Sequence, residues 1–222
     1  MVFFGNMKTF KLSPSSLNLM KECPRCFWLD KNNIWKRPIG IFPSLPSGMD
    51  RVLKIQFDKF RDRKLLPPEI AEHHECEGMK LFDDNELLKI WQNNRKGISF
   101  TDEDGNILHG AVDNILQKGN KLIVLDYKTR GYDLKEDTHE HYRLQLEIYN
   151  LLLRKNNYET EDYAFLLFYV PKEVTDTGEV IFDTTLKKVQ VNTKNAENMW
   201  KKALELLNGE CPEKGCDWCS RF

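Results

Sequence analysis

The spacing of hydrophobic and polar positions changes from helical to alternating near the middle of the chain, and it becomes mixed afterwards. Ser13-Pro14 predicts the start of a helix, with Ser13 as the N-cap and an end near Cys23-Pro24. Three prolines between Lys36 and Ser47 predict an extended loop. Helical spacing predicts further helices over residues 49–63, 85–92, 140–155 and 196–207.

Short alternating segments predict the strands. They cover residues 98–101, 107–117, 121–129, 163–170 and 179–191. The sequences Asp104-Gly105-Asn106 and Lys118-Gly119-Asn120 predict turns between neighbouring strands. The order of helices, β-meander, helix, two strands and helix predicts an α/β (α+β) domain with a central mixed β-sheet flanked by helices.

Length and composition predict one domain over residues 1–222, because 222 residues with 41% hydrophobic side chains can bury a single core. Within it we expect a helical N-terminal region (12–95), a core of sheet and helix (96–191), and a C-terminal helix with a cysteine motif (192–222). No apolar run approaches the ~18 residues of a membrane span, and the first residues lack a cleavable signal pattern. We therefore expect a soluble cytoplasmic protein with no membrane partner. The net charge of −1 neither supports nor excludes nucleic acid as a partner.

Two neighbouring predicted strands carry acidic side chains among apolar ones. Alternation places Asp113 on the same face as His109, and Asp126 and Lys128 together on a face of the next strand. Carboxylates in such surroundings are costly unless they are paired or bind a cation, and Mg²⁺ or Mn²⁺ prefers oxygen ligands. A nearby lysine can contact the same water or phosphate. The alternative is a surface ion pair between Asp126 and Lys128 on an edge strand, with Asp113 in an unrelated role.

Three short motifs occur in this order along the chain: Gly110-Ala-Val-Asp113, Asp126-Tyr-Lys128 and Gln145-Leu-Glu-Ile-Tyr149. This series resembles the GxxD, DxK and QxxxY motifs of RecB-like nucleases in the PD-(D/E)XK superfamily, including CRISPR-associated exonuclease-like single-domain members. The start at Ser13-Pro14-Ser15-Ser16-Leu17 and the closing Cys216-Asp-Trp-Cys219 are also similar to that family. The resemblance implies a restriction-endonuclease-like core.

The resemblance also implies roles for single residues. Asp113 and Asp126 would bind the catalytic Mg²⁺ or Mn²⁺, with the backbone carbonyl of Tyr127 as a further ligand. Lys128 would lie beside the attacking water. Gln145 and Tyr149, four residues apart on one helix face, would face the active site and the DNA strand. The alternative is ordinary helix packing for Tyr149 and a solvent-exposed Gln145.

The activity that the resemblance implies is hydrolysis of DNA phosphodiester bonds, exonucleolytic on single-stranded ends. The setting would be DNA repair or CRISPR adaptation, with a helicase or CRISPR adaptation proteins as partners. Many relatives carry a histidine ligand four residues after an early glycine, where this chain has Val52 after Gly48. The nearest histidines in sequence are His73, His74 and His109, and Asp50 is another candidate oxygen ligand. This departure leaves open a catalytically impaired nuclease-like fold that binds DNA or a protein partner.

Six cysteines in a chain expected to be intracellular indicate metal ligation rather than disulfides. Cys23-Pro-Arg-Cys26 and Cys216-Asp-Trp-Cys219 both have the CxxC spacing that suits Zn²⁺ or an iron–sulfur cluster. Relatives with cysteines at both ends hold a [4Fe-4S] cluster, usually with one cysteine from the N-terminal segment and three from the C-terminal one. The resemblance therefore implies a [4Fe-4S] cluster, with Zn²⁺ as the alternative. Two quartets are therefore open: the two CxxC pairs, or a set in which Cys211 replaces Cys26.

Overall fold

A computed structural model describes residues 8–38, 40 and 44–220, and this part of the chain contains seven α-helices and eight β-strands. The helices are α1 (Pro14–Glu22), α2 (Pro24–Lys31), α3 (Ser44–Asp62), α4 (Pro68–Ala71), α5 (Asn85–Trp91), α6 (Arg143–Lys155) and α7 (Thr193–Asn208). The strands are β1 (Lys11–Leu12), β2 (Lys80–Leu81), β3 (Ile98–Thr101), β4 (Ile107–Gly110), β5 (Asn114–Lys118), β6 (Lys121–Thr129), β7 (Tyr163–Val174) and β8 (Val180–Gln190).

A five-stranded mixed sheet forms the centre, in the order β2-β5-β6-β7-β8. β6 and β7 are parallel, and the other neighbours are antiparallel. Parallel strands need a crossover connection, which α6 provides. β6 lies in the middle, and its residues from Leu122 to Tyr127 are all buried, as expected for a strand covered on both faces.

Alternate residues of β6 pack into two different cores. Val124 belongs to the core that contains side chains of α1, α6 and α7. Leu125 belongs to the core on the opposite face, with Leu53 and Phe57 of α3. The sheet is therefore flanked by helices on both faces, and the predicted fold class is confirmed.

A second, three-stranded sheet (β1-β4-β3) corrects one predicted strand. Residues 107–117 do not form one element: β4 ends at Gly110 and pairs with β1 and β3, whereas β5 begins at Asn114 and pairs with β2 and β6. Between them the chain crosses from one sheet to the other, and the Val112 N–H donates to the Trp91 carbonyl (3.1 Å). Ala111 and Val112 continue the apolar pattern, so the break leaves no mark in the sequence. His109 and Asp113 therefore do not share a strand face, contrary to the prediction.

The helices differ from the prediction at several places: α4 is absent from the predicted elements, α6 begins at Arg143 and not at 140, and α7 begins at Thr193 and not at 196. Two further differences lie in the N-terminal region. α2 was not predicted, because Cys23-Pro24 was interpreted only as the end of α1; Pro24 instead occupies the first position of a new helix. α3 begins at Ser44 and not at 49, since Pro46 is tolerated in a first turn. Positions 39 and 41–43 of the predicted loop lie outside the described residues. Within the described ranges, no helix is both long enough and apolar enough to cross a membrane.

Candidate active site and cysteine site

Asp126 and Lys128 lie at the carboxyl-terminal half of β6, on the face toward α6. The Asp126 side chain is only 2% exposed, and its Oδ2 forms an ion pair with Lys128 Nζ. That oxygen accepts no hydrogen bond from any other described residue. Lys128 Nζ also lies 4.8 Å from the centre of the Tyr142 ring. The ammonium is thereby held between a carboxylate and an aromatic face.

Asp113 reaches the same place from the crossing between the two sheets. Its Oδ2 accepts a hydrogen bond from the backbone N–H of Tyr127 (3.0 Å). Its own carbonyl accepts one from Gln92 Nε2 (2.7 Å), which fixes the backbone. The carboxylates of Asp113 and Asp126 therefore converge although Asp113 lies outside any strand.

Burial makes ionisation of the Asp126 carboxyl group energetically unfavourable. Desolvation raises its pKa to about 7; Lys128 opposes this shift, and the neighbouring Asp113 adds to it. The pKa of Lys128 is raised, because the attraction of Asp126 and Asp113 outweighs the effect of burial. An additional cation beside these two carboxylates would lower the cost of ionising Asp126.

Gln145 and Tyr149 of α6 complete this side of the site. Gln145 Nε2 donates to Asp126 Oδ1 (3.3 Å) and to the Tyr149 hydroxyl (2.8 Å). The Tyr149 ring packs on the backbone of Gly110, where a Cβ atom would lie 2.6 Å from its Cε1. The glycine of the GxxD motif is thus explained by the close approach of this ring.

A cleft of ≈ 350 Å³ opens next to these residues. Gln145 and Tyr149 line it on one side, and Ser13 and Ser15 at the start of α1 line it on another. His109 also lines the cleft, and burial together with Lys11 and Lys31 lowers its pKa. His109 therefore faces the approach to the site as a neutral side chain.

Lys54 of α3 is a residue of the site that the sequence did not single out. Its Nζ lies 2.9 Å from each carboxylate oxygen of Asp50 and 3.3 Å from Asp113 Oδ1. Asp50, which the sequence offered as a candidate oxygen ligand, is thus held beside Asp113 through Lys54. Lys54 stands four residues after Asp50, a spacing typical of an ordinary surface pair on a helix, so nothing in the pattern marks the lysine. Val52, at the position of the missing histidine, is 53% exposed. Burial and the Asp113 carboxylate raise the pKa of Asp50.

The oxygen donors of this site suit a hard divalent ion. Asp113, Asp126 and the Tyr127 carbonyl together match the small number of protein ligands with which Mg²⁺ is usually bound, the rest being water and phosphate. Among the described residues, no three carboxylates or histidines converge as closely as the thiols discussed next. The acidic site therefore fits a catalytic ion that keeps several water ligands.

The four cysteines of the two CxxC pairs form the second site, and their sulfur atoms all lie within 4.8 Å of one another. Cys23 Sγ is 3.7 Å from Cys219 Sγ, Cys26 Sγ is 3.5 Å from Cys216 Sγ, and the sulfurs of Cys216 and Cys219 are 3.9 Å apart. The structure thus brings together the first of the two predicted quartets. Cys211, the alternative member, points its thiol to the Pro212 carbonyl (3.8 Å) and is not part of this group.

These separations can be compared with those expected around a single ion and around a cluster. Four sulfurs at ~2.3 Å from one tetrahedral ion stand about 3.8 Å apart, close to the 3.5, 3.7 and 3.9 Å found here. In a [4Fe-4S] cluster each cysteine binds a different iron at a corner of a cube, so the sulfurs must stand farther apart. The three sulfur separations are closer to those around one tetrahedral ion than to those around the cube.

Hydrogen bonds and close backbone packing position the segments that carry the quartet. Arg25 Nη1 donates to the Pro212 carbonyl (2.8 Å), and Trp28 Nε1 donates to the Gly209 carbonyl (3.1 Å). A Cβ atom on Gly215 would lie 2.9 Å from Cys219 Sγ, so a larger residue there would displace that sulfur. Backbone hydrogen bonds from Trp218 and Cys219 outweigh desolvation and lower the pKa of Cys216 to about 6, which favours a thiolate.

Comparison with known proteins supports one family. A model of the PD-(D/E)XK nuclease superfamily matches residues 50–221, more than three quarters of the chain. No curated protein matches the sequence significantly. Among solved structures, the crystal structure of SSO0001 is similar with a TM-score of 0.44 and 14% sequence identity, over 93% of this chain and 80% of that one. That similarity is too weak to carry an argument about activity.

Proposed function

The chain belongs to the PD-(D/E)XK nuclease superfamily, and from that premise we propose that it is a Mg²⁺- or Mn²⁺-dependent deoxyribonuclease. The observation that carries the proposal is the convergence of Asp113, Asp126 and Lys128 at the end of a buried strand. A buried carboxylate whose pKa is raised and which adjoins a second carboxylate is typical of an ion-binding catalytic site. The surface ion pair that the sequence left open does not match a 2% exposed Asp126.

The chain's own residues would have the following roles in the reaction. Asp113 and Asp126 would hold the divalent ion, which when bound lowers the pKa of a water molecule and neutralises phosphate charge. The carbonyl of Tyr127 supports this role, because N–H and C=O of one strand residue point to the same edge, and the Tyr127 N–H points to Asp113. Lys128 would hold the attacking water and offset the charge that develops at phosphorus. Gln145 would orient Asp126 through their hydrogen bond.

For the substrate we propose single-stranded DNA ends. A strand in the cleft would contact Ser13, Ser15 and Gln145, and Gln145 also donates a hydrogen bond to Asp126. Hydroxyl groups and helix N-termini are common contacts for phosphate oxygens. A helicase or CRISPR adaptation proteins would have to supply such ends, in DNA repair or in spacer acquisition.

The test compares wild type with Asp126→Ala and Lys128→Ala on single-stranded DNA in Mn²⁺. We expect each variant to lose at least about a hundredfold in rate, by the loss of ion binding or of charge stabilisation. Lys121→Ala is the matched control, because Lys121 lies at the opposite, exposed end of the same strand. Equal degradation by all four proteins would exclude the proposal. Resistance of a circular single strand would show that a free end is required.

A second candidate function is binding without cleavage. It is favoured by the missing helix histidine and by Lys54, which already places a positive charge between Asp50 and Asp113. This alternative predicts that wild type retains single-stranded DNA in a binding assay but cleaves nothing in Mg²⁺, Mn²⁺ or Co²⁺. Measurable cleavage that disappears in Asp126→Ala would eliminate it.

For the cysteine quartet we propose one tetrahedral Zn²⁺ with a structural role; the alternative is the [4Fe-4S] cluster of relatives. The spacing of the sulfur atoms supports the single ion. Anaerobically purified protein is expected to contain one zinc per chain and to lack visible absorbance. Four irons with four sulfides per chain and a brown colour would favour the cluster instead.

A further inference from the structure

Lys54 places a positive charge inside the acidic site, beside Asp50 and Asp113. It extends from α3, which is fixed against the sheet by the buried side chains of Leu53 and Phe57. Its Nζ contacts Asp50 at 2.9 Å and Asp113 at 3.3 Å, and its side chain is only 20% exposed. The ammonium is therefore a partly buried member of the site and not a fully exposed surface charge.

Every carboxylate oxygen of the two proposed ligands is already engaged. Asp113 Oδ1 pairs with Lys54 and Oδ2 accepts from the Tyr127 N–H. Asp126 Oδ1 accepts from Gln145 and Oδ2 pairs with Lys128. Asp113 Oδ2 keeps a free lone pair beside its hydrogen bond, but an ion that uses Asp113 Oδ1 has to share or take that oxygen from Lys54, and an ion at either oxygen meets the ammonium 3.3 Å from Oδ1.

We propose that Lys54 is an internal competitor of the catalytic ion: it neutralises Asp113 when no ion is bound and withdraws toward Asp50 when one binds. This inference rests on the proposed function in taking Asp113 as an ion ligand. Asp50 and Lys54 are one helical turn apart on α3. Asp50 can therefore hold the ammonium after it leaves Asp113, and Lys54 need not enter solvent. Lys54 is thus a positioning residue, and it sets how much free Mn²⁺ the protein needs.

The test measures Mn²⁺ binding directly, by the electron paramagnetic resonance signal of free Mn²⁺, on the full chain without DNA. Lys54→Met removes the competing charge with little change in length, and we expect it to bind Mn²⁺ roughly tenfold more tightly than wild type. Lys59→Met is the matched control, because Lys59 is exposed on the same helix and carries the same charge. The affinity of Lys59→Met for Mn²⁺ should equal that of wild type.

Two further variants make the result specific. Lys54→Gln retains a polar side chain and should also bind more tightly, which guards against a folding defect in Lys54→Met. In an Asp113→Asn background, Lys54→Met should give no gain, since the competition is for that carboxylate. Unchanged or weaker Mn²⁺ binding by both Lys54 variants would overturn the inference even if wild type cleaves DNA. Tighter binding with no cleavage by wild type would retain the inference and reject the proposed nuclease.

Discussion

At the scale of single residues, Asp126 links the stability of the fold to the charge of the site. The folded chain binds a proton on this carboxyl more tightly than the unfolded chain does, because burial raises the pKa from 3.8 to about 7. This contribution to stability is fully present below the ordinary pKa of 3.8 and is lost as the pH rises through about 7. Without a bound ion, Asp126 therefore contributes least to the stability of the fold at neutral and alkaline pH.

We predict that in excess chelator the free energy of unfolding of wild type falls between pH 4 and pH 7, and that it falls less steeply in Asp126→Asn, which has no proton to lose. Denaturant unfolding at several pH values measures both slopes. Lys128 is present in both proteins, so the difference in slope reports Asp126. Parallel slopes would mean that Asp126 is ionised at low pH in the folded protein.

Gly110 is a second residue with a specific physical role, because the Tyr149 ring occupies the space of a Cβ atom. We expect Gly110→Ala to cost roughly 1–3 kcal/mol through overpacking and to lower activity, since the displaced ring is bonded to Gln145. Gly131→Ala, where a Cβ would meet nothing within 4 Å, is the control. In Tyr149→Leu the cost of Gly110→Ala should shrink, and an unchanged cost would show that the contact is not the cause.

At the scale of elements, α3 is joined to the sheet by a buried cation. Arg61 is 3% exposed, and its guanidinium donates to the Phe82 carbonyl (2.8 Å) and to Asn114 Oδ1 (2.7 Å). Asn114 Nδ2 in turn donates to the Tyr127 hydroxyl (2.7 Å). The network spans α3, β5 and β6 immediately beside Asp113, so it fixes the helix that carries Lys54.

We predict that Arg61→Met destabilises the protein by about 2–4 kcal/mol, because acceptors of a buried charged donor lose their partner. Arg63→Met is the comparison, since Arg63 follows α3 and is exposed. Thermal or urea unfolding gives both values. A loss of similar size in the two variants would contradict the role given to the buried network.

Elements were predictable from the sequence where local signals coincide with tertiary packing. β6 was predicted with its observed limits, because a glycine turn precedes it and its alternation matches the two cores. The crossing at residues 111–113 was not predicted, because its apolar residues match the hydrophobic pattern of a strand in either sheet. In the site, the proximity of Asp126 and Lys128 could be predicted, because alternation places both on one face of β6. The contact of Lys54 with Asp113 joins elements almost sixty residues apart, and only the packing of α3 reveals it.

At the scale of the whole molecule, the quartet joins the two ends of the described chain. Cys26 and Cys216 are separated by 190 positions in sequence, and their sulfurs lie 3.5 Å apart. Leu29 and the partly buried Trp28 and Trp35 pack around the quartet in a small core of its own. An ion bound there would connect α2 to the segment after α7, and its binding free energy would add to the stability of the fold.

We therefore expect Cys26→Ser to lower the melting temperature by on the order of 10 °C, and a strong chelator to do the same to wild type. Cys211→Ser should have little effect, because the Cys211 thiol lies outside the quartet. Differential scanning calorimetry with metal analysis of each sample measures this. A chelator effect of equal size in Cys26→Ser and wild type would argue against metal at these cysteines.

The hydrogen bond between the Tyr127 amide and Asp113 gives the protein a built-in spectroscopic reporter. The chemical shift of an amide proton is sensitive to the charge of its acceptor, and this acceptor is the carboxylate for which Lys54 and a divalent ion compete. A diamagnetic Mg²⁺ titration followed in an amide-resolved NMR spectrum should therefore move the Tyr127 resonance early and strongly, while amides in β8 stay in place. Occupancy of the site can thus be followed at one atom, in a sample that contains no DNA and performs no turnover.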